Sequence, residues 1–263
     1  MNEQMLRGLL NVEAEQSISK VQIFDEIDST NSESLRQIQS GATENRLVVA
    51  SSQTAGRGRR GRQWLSPKNA GMYFSLTRSF SLEASALQSL SLVTAISVVE
   101  ALHELGAAKL TLKWPNDVLY EKRKLGGILL ELQQKAATRF LVFGIGVNID
   151  LPADSIASID RPVVDLQSIV TELPAPEALL AALLNQLCRN LNDYERNGFS
   201  NFSRRWNELD CYRLSDIVIQ NGESRIIGKS LGVGADGSLL LQTSSGTQSI
   251  TSGEIFPSLH PLS

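Results

Sequence analysis

Residues 53–64 read Gln-Thr-Ala-Gly-Arg-Gly-Arg-Arg-Gly-Arg-Gln-Trp, with Gly56, Gly58 and Gly61 set among Arg57, Arg59, Arg60 and Arg62. Glycines this close together argue against a regular element, because each gives up the most backbone freedom on ordering. Four fixed positive charges in six residues repel one another unless an anion lies between them. Guanidinium groups offer planar two-pronged donors suited to phosphate and carboxylate, and glycines let backbone N–H groups approach the same anion. The spacing therefore predicts a mobile loop that orders around a phosphorylated ligand. A solvated basic loop and a nucleic-acid contact are the alternatives that composition alone allows.

The flanks weigh toward a built site. Residues 47–51 and 72–78 are apolar runs that read as core strands, so the loop is clamped at both ends. Ordering ~12 residues costs on the order of 10–20 kcal/mol, which a highly charged ligand would have to return.

Other polar groups cluster at element ends. Ser29, Thr30 and Asn31 follow a strand at 21–24; Ser29 or Thr30 can cap a helix running to about Gln39, with Glu33 at capping-box distance from Thr30. Lys113, Asn116 and Asp117 surround Pro115, where a strand at 110–114 breaks. A charged turn at 121–124 then leads into a strand at 125–132, which predicts a hairpin bearing Lys124, Gly126 and Gly127. Gly144, Gly146 and Asn148 end a further buried strand at 140–148. Helices are expected at 84–105, 174–194 and 199–209. After about Tyr212 only short strands separated by glycine turns follow, the pattern of a small barrel. Residues 1–19 carry at most one apolar helical stripe, of Leu6, Leu9 and Leu10.

Composition narrows the chemistry. The chain has 263 residues and a formal net charge of −3, so the arginine cluster is a local device in a chain without the basic excess of a general nucleic-acid binder. Cys188 and Cys211 form no Cys-x-x-Cys pair, and His103 and His260 are the only histidines, so no thiolate or multi-histidine metal site is expected. Neither a signal peptide nor an apolar run of ~18 residues is present, which points to the cytoplasm and away from a membrane. A P-loop is absent, and Gly-x-Gly alone is no dinucleotide fingerprint.

Taken in order, Asp-Ser-Thr-Asn at 28–31, the arginine loop, Lys-Trp-Pro-Asn-Asp at 113–117, Lys-Leu-Gly-Gly at 124–127, Gly-Ile-Gly-Val-Asn at 144–148 and Ser-Gly-Glu-Ile at 252–255 resemble the biotin protein ligases. The resemblance spans residues ~20–257. It implies an α+β fold: a mixed-sheet, class II synthetase-like catalytic domain over 1–212 and an SH3-like barrel over 213–263. It implies that ATP, with Mg²⁺, activates biotin as biotinyl-5′-adenylate, which then biotinylates a lysine of a carrier domain, the biotin carboxyl carrier protein of acetyl-CoA carboxylase. By the same motifs, Ser29, Thr30, Asn31, Gln53, Arg57, Gly58, Arg59, Lys124 and Gly127 bind biotin. Arg59, Arg60, Arg62, Trp64, Lys113, Asn116 and Asn148 bind ATP. Lys124, Asp117, Arg57 and Arg59 carry the catalysis, with Asp117 deprotonating or orienting the acceptor lysine. Bifunctional members add ~60 N-terminal residues that bind DNA; about 20 precede the first strand here, so no operator binding is expected. A homodimer through the central sheet is compatible with this reading and is not selected by it. The nearest rival is a lipoate ligase or octanoyl transferase of the same superfamily, which the lack of a histidine soon after the glycine-rich loop disfavours.

Overall fold

A computed structural model describes residues 1–80, 87–135 and 138–256; the first residues of the helix expected from 84, and His260, lie outside these. Seven strands form one sheet: β1 (Lys20–Ile27), β2 (Arg46–Gln53), β3 (Gly71–Phe80), β4 (Leu110–Lys113), β5 (Asp117–Tyr120), β6 (Arg123–Lys135) and β7 (Thr138–Asn148). Their order is β1-β2-β3-β7-β6-β5-β4, with β1 and β2 parallel and all other neighbours antiparallel. The arginine loop joins β2 to β3, and the Lys-Trp-Pro-Asn-Asp turn joins β4 to β5. Two sites far apart in sequence thus face each other across β6 and β7.

Helices α1 to α7 surround this sheet among the described residues. Helices α1 (Glu3–Leu9) and α2 (Val12–Ser17) lead into β1, and α3 (Thr30–Gln39) links β1 to β2. Ser29 caps α3 by accepting the Ser32 N–H at 3.4 Å, whereas Glu33 bonds Arg36 and Gln37. The expected capping box does not form, because the helix starts one residue earlier than that reading needs. Helix α4 (Leu87–Glu104) buries Leu90, Val93, Ile96, Val99 and Leu102. It packs against α6 (Pro176–Asn197), which follows the short α5 (Ala153–Ser158) and turns at Gly198 into α7 (Ser200–Leu209).

The first nineteen residues are more integrated than their sequence suggests. Leu6, Ala14 and Ile18 are buried, and Asn11 N–H donates to the Asn185 Oδ1 on α6 at 2.8 Å. The contact uses single apolar residues spaced across a helix break, so no stripe announces it.

A second, wholly antiparallel sheet follows: β8 (Asp216–Asn221), β9 (Ser224–Val233), β10 (Leu239–Thr243), β11 (Gly246–Ile250) and β12 (Glu254–Phe256), in the order β11-β10-β9-β8-β12. It is the small SH3-like barrel. Strand β12, which the alternation of residues did not reveal, brings Glu254 beside the arginine loop. Asn207 on α7 docks this unit, giving its amide to Val233 O at 3.0 Å and accepting Val233 N–H at 2.7 Å.

Candidate active site

The arginine loop is a compact turn held by its own backbone bonds. Trp64 N–H donates to Gly56 O at 2.9 Å and Gly58 N–H to Arg62 O at 2.7 Å, while Arg60 takes the left-handed conformation at φ 57°. Carboxylates supply the counter-charge that the sequence reading assigns to a ligand. Arg57 pairs with Glu131 at 2.7 Å, and Arg62 grips Glu254 in a bidentate pair whose Nη1–Oε1 arm is 2.9 Å. Arg60 lies 3.7 Å from the same Glu254, and Arg59 donates to Asn116 Oδ1 at 3.0 Å. Acids from β6 and β12, distant in sequence, thus stand where an anionic ligand's charge would otherwise balance the arginines. Burial pulls the Arg59 guanidinium below its ordinary value, opposed by Glu254.

Behind the loop lies an inner pocket of ≈60 Å³. One wall is polar. Thr30 and Asn31, at the start of α3, are almost fully buried. Gln53 Oε1 accepts Thr30 N–H at 2.8 Å, and its amide donates to Ser66 at 2.8 Å. Asn31 Oδ1 accepts the Ser75 hydroxyl at 2.6 Å, and its amide donates to Glu131 at 2.9 Å. Ser75 and Gly144 are register partners on β3 and β7. A Cβ at Gly144 would stand 2.0 Å from Asn31 Oδ1, so the missing side chain makes the hollow that Asn31 occupies. The other walls are Ile128, Leu129 and Ile145.

Beyond the loop opens an outer cleft of ≈590 Å³. Gly58, Arg59, Trp64, Asn116 and Lys124 line both spaces. Trp64 forms much of the partition: it lies over Gly146, where a Cβ would come 2.7 Å from its ring, and its Nε1–H is buried without a partner. Lys124 stands over the same ring, Nζ 5.2 Å from the centroid, and donates to Asp117 Oδ1 at 2.6 Å. The pair meets because Asp117 and Lys124 flank a register shift between β5 and β6. Their turn, with Glu121 at φ 48° and Lys122 at φ 61°, has the double left-handed backbone of a type I′ hairpin without its usual Asn-Gly.

Every residue expected to bind biotin lines the inner pocket. Of those expected on the ATP side, Arg59, Arg62, Trp64, Asn116 and Asn148 border the outer cleft. Arg60 and Lys113 do not, and line a third space between the Lys-Trp-Pro-Asn-Asp turn and the barrel. The Asn148 amide is spent on Lys124 O at 3.3 Å and Val164 O at 3.0 Å, tying residues 162–166 to β6. Ser75, Glu131, Ser66 and Arg161 were missed. Ser75 had a signal, a polar residue inside an apolar strand; Glu131 and Arg161 look like ordinary surface charges until the loops close on them.

Among known proteins, residues 23–148 match the model of the biotin/lipoate A/B protein ligase family and residues 217–256 that of the biotin protein ligase C-terminal domain. The chain is 34% identical over 226 residues to the bifunctional ligase/repressor BirA of Escherichia coli, covering 84% of this chain and 69% of that one. It is 32% identical to the biotin–[acetyl-CoA-carboxylase] ligase of Paracoccus denitrificans, covering 87% and 97%. The biotin protein ligase of Aquifex aeolicus, solved with biotin and ATP, superposes with a TM-score of 0.76 at 30% identity, covering 90% and 98%. With the inner pocket, the shared lysine wall and the barrel in the same order as its motifs, the chain belongs to the biotin protein ligase family.

Proposed function

We propose that the protein joins biotin to ATP and passes the biotinyl group to a lysine of a biotin carrier domain. The observation that carries this is the wall common to the two spaces. A carboxylate entering from the inner pocket and a triphosphate entering from the outer cleft would meet at Lys124. The polar wall of Thr30, Asn31 and Gln53 suits a ureido ring, which both donates and accepts hydrogen bonds. A lipoyl or octanoyl tail has no groups to exchange hydrogen bonds with such a wall, so the lipoate reading is not favoured.

In the first step a biotin carboxylate oxygen bonds to the α-phosphorus as the bond to pyrophosphate breaks. Both reactants are anionic, so the cations at the wall lower the barrier by neutralising charge as it spreads. Lys124 must leave Asp117 to bridge carboxylate and phosphate. That move frees the Asp117 carboxylate, which then accepts a proton from the acceptor lysine as its amine attacks the acyl carbon and AMP departs. Mg²⁺ would supply further neutralisation on the triphosphate. Asp117, Asp160 and Glu254 border the cleft without converging, a donor set that fits an ion held chiefly by phosphate oxygens and water. Among the described residues no three His, Cys, Asp or Glu converge.

We take residues 1–212 as the catalytic domain and 213–263 as the barrel. The setting is the cytoplasm, which supplies ATP and suits the free thiols Cys188 and Cys211. Incubation with ATP, Mg²⁺, biotin and a carrier domain should add one biotinyl mass to one lysine. No mass gain, or an equal gain with lipoate or octanoate, would overturn the assignment.

A further inference from the structure

One carboxylate joins the inner pocket to the arginine loop. Glu131, on β6, gives its two oxygens to different partners: Oε2 accepts the Asn31 amide at 2.9 Å, and Oε1 accepts the Arg57 guanidinium at 2.7 Å. Asn31 is 4% exposed and lines the inner pocket, whereas the Arg57 side chain is 41% exposed on the loop. Glu131 does not line the pocket itself, so it can act there only through Asn31.

The bond to Asn31 ends a longer chain. Trp64 O accepts the Ser66 hydroxyl at 3.1 Å, Ser66 Oγ accepts the Gln53 amide at 2.8 Å, and Gln53 Oε1 accepts the Thr30 hydroxyl at 3.3 Å. The Ser75 hydroxyl lies 2.8 Å from Thr30 Oγ1 and 2.6 Å from Asn31 Oδ1. The chain thus leaves the loop at Trp64, passes through the buried Ser66, Thr30, Ser75 and Asn31, and returns to the loop at Arg57. An ionised carboxylate can only accept hydrogen bonds, so Glu131 compels Asn31 to turn its amide nitrogen toward β6 and its Oδ1 toward Ser75. The same nitrogen also donates to Leu129 O at 3.3 Å. With both donors spent, the group Asn31 has left for a ligand is a lone pair on Oδ1, the partner that a ureido N–H requires.

We propose that Glu131 is a positioning residue that ties occupation of the inner pocket to the hold on the arginine loop. The inference rests on the ligase reading above. A ureido N–H bonded to Asn31 Oδ1 pulls on an amide whose other end is fixed to Glu131. Any rotation of that carboxylate changes its approach to Arg57. Linkage makes the effect reciprocal, so the state of Arg57 must alter the affinity of the pocket by the same factor. The two halves of the bridge differ in strength as such a coupling needs. The buried bond to Asn31 is strengthened by its low-dielectric surroundings, while the exposed pair with Arg57 is weak enough to exchange.

The test uses biotinol, the alcohol of biotin, which keeps the ureido ring and has no carboxylate for Arg57 to grip. Its Kd is measured by calorimetry on the full chain. Arg57→Ala should weaken biotinol about 5-fold in the otherwise native chain, the lower end of usual coupling factors, and less than about 2-fold when Glu131→Gln is already present. No weakening by Arg57→Ala, or the same weakening with and without Glu131→Gln, overturns the coupling. AMP binding is the second measurement. Glu131→Gln should leave it unchanged, because the outer cleft is not part of the chain; equal weakening of AMP and biotinol would show a fold-wide role and also overturns the proposal. Biotin binding and carrier labelling by the unmutated protein are read in parallel, so failure of the ligase reading is seen separately from failure of the coupling.

Discussion

At the scale of single residues, the roles proposed for Lys124 and Asp117 fall in different half-reactions. Lys124 donates to Asp117 at 2.6 Å and also borders both the inner pocket and the outer cleft. Lys124→Gln removes the charge proposed to bridge two anions, so biotinyl-adenylate formation should fall by about 10²–10³, the loss typical of one electrostatic donor. Asp117→Asn leaves that charge in place. Adenylate should still form, while transfer to the carrier lysine in a single turnover should slow by about 10²-fold or more, the usual contribution of a general base. Equal losses in both steps for Asp117→Asn would show that it only holds Lys124. Gly144 tests the pocket from the other side: a methyl there meets Asn31 Oδ1 at 2.0 Å, so Gly144→Ala should displace Asn31 and raise the biotin Kd at least 10-fold by calorimetry. The motif made these residues legible as a set. Gly144 looked like one of two alternating glycines, and its purpose appears only when β7 is set beside Ser75 and beneath α3.

At the scale of elements, the arginine loop is a hairpin-like turn held by exposed ion pairs to β6 and β12. Arg57 and Arg62 are both more than 40% exposed at the side chain, so each latch is worth at most about 1 kcal/mol and is open to exchange for a ligand phosphate. Latches this weak can release and re-form around a mixed anhydride without a large barrier, which a cover over a water-sensitive intermediate requires. Arg57→Ala with Arg59→Ala should therefore leave the adenylate leaking. Free biotinyl-adenylate and carrier-independent AMP should rise about 10-fold relative to carrier labelling, measured by quenched-flow chromatography. Sequence periodicity was enough for the flanking strands β2 and β3 and for the β5–β6 hairpin, because apolar runs and turn residues are local signals. Glu131 and Glu254 were invisible as latches, since nothing in a strand's own residues tells which exposed carboxylate will meet a loop about 70 or 190 positions away.

At the scale of the whole molecule, the catalytic sheet and the barrel are joined through a short segment after α7. Asp210 bridges Leu112 beside edge strand β4, and Cys211 N–H donates to Leu112 O at 3.0 Å, so this connector covers the sheet edge next to Lys113. Asp210 Oδ1 accepts Tyr212 N–H at 2.9 Å, but Oδ2 is buried without a partner. Burial pushes the Asp210 carboxyl up to about 6, against the pull of the Tyr212 N–H and Arg213. The folded chain thus holds a proton there that the unfolded chain, with an ordinary carboxyl near 3.8, releases earlier. Folded protein binds more protons between those values, so this group's contribution to stability is full below pH ~4 and is lost as pH rises through ~6. At neutral pH the charged, half-paired carboxylate costs on the order of 1–3 kcal/mol at one pKa unit per ~1.4 kcal/mol. Asp210→Asn keeps an oxygen for Tyr212 N–H and removes the charge. It should raise the melting temperature at pH 7.5 and change it little at pH 4, so the variant's advantage grows across that window in paired thermal scans. An advantage independent of pH would mean that packing at the junction, and not desolvation of the carboxylate, sets the stability there.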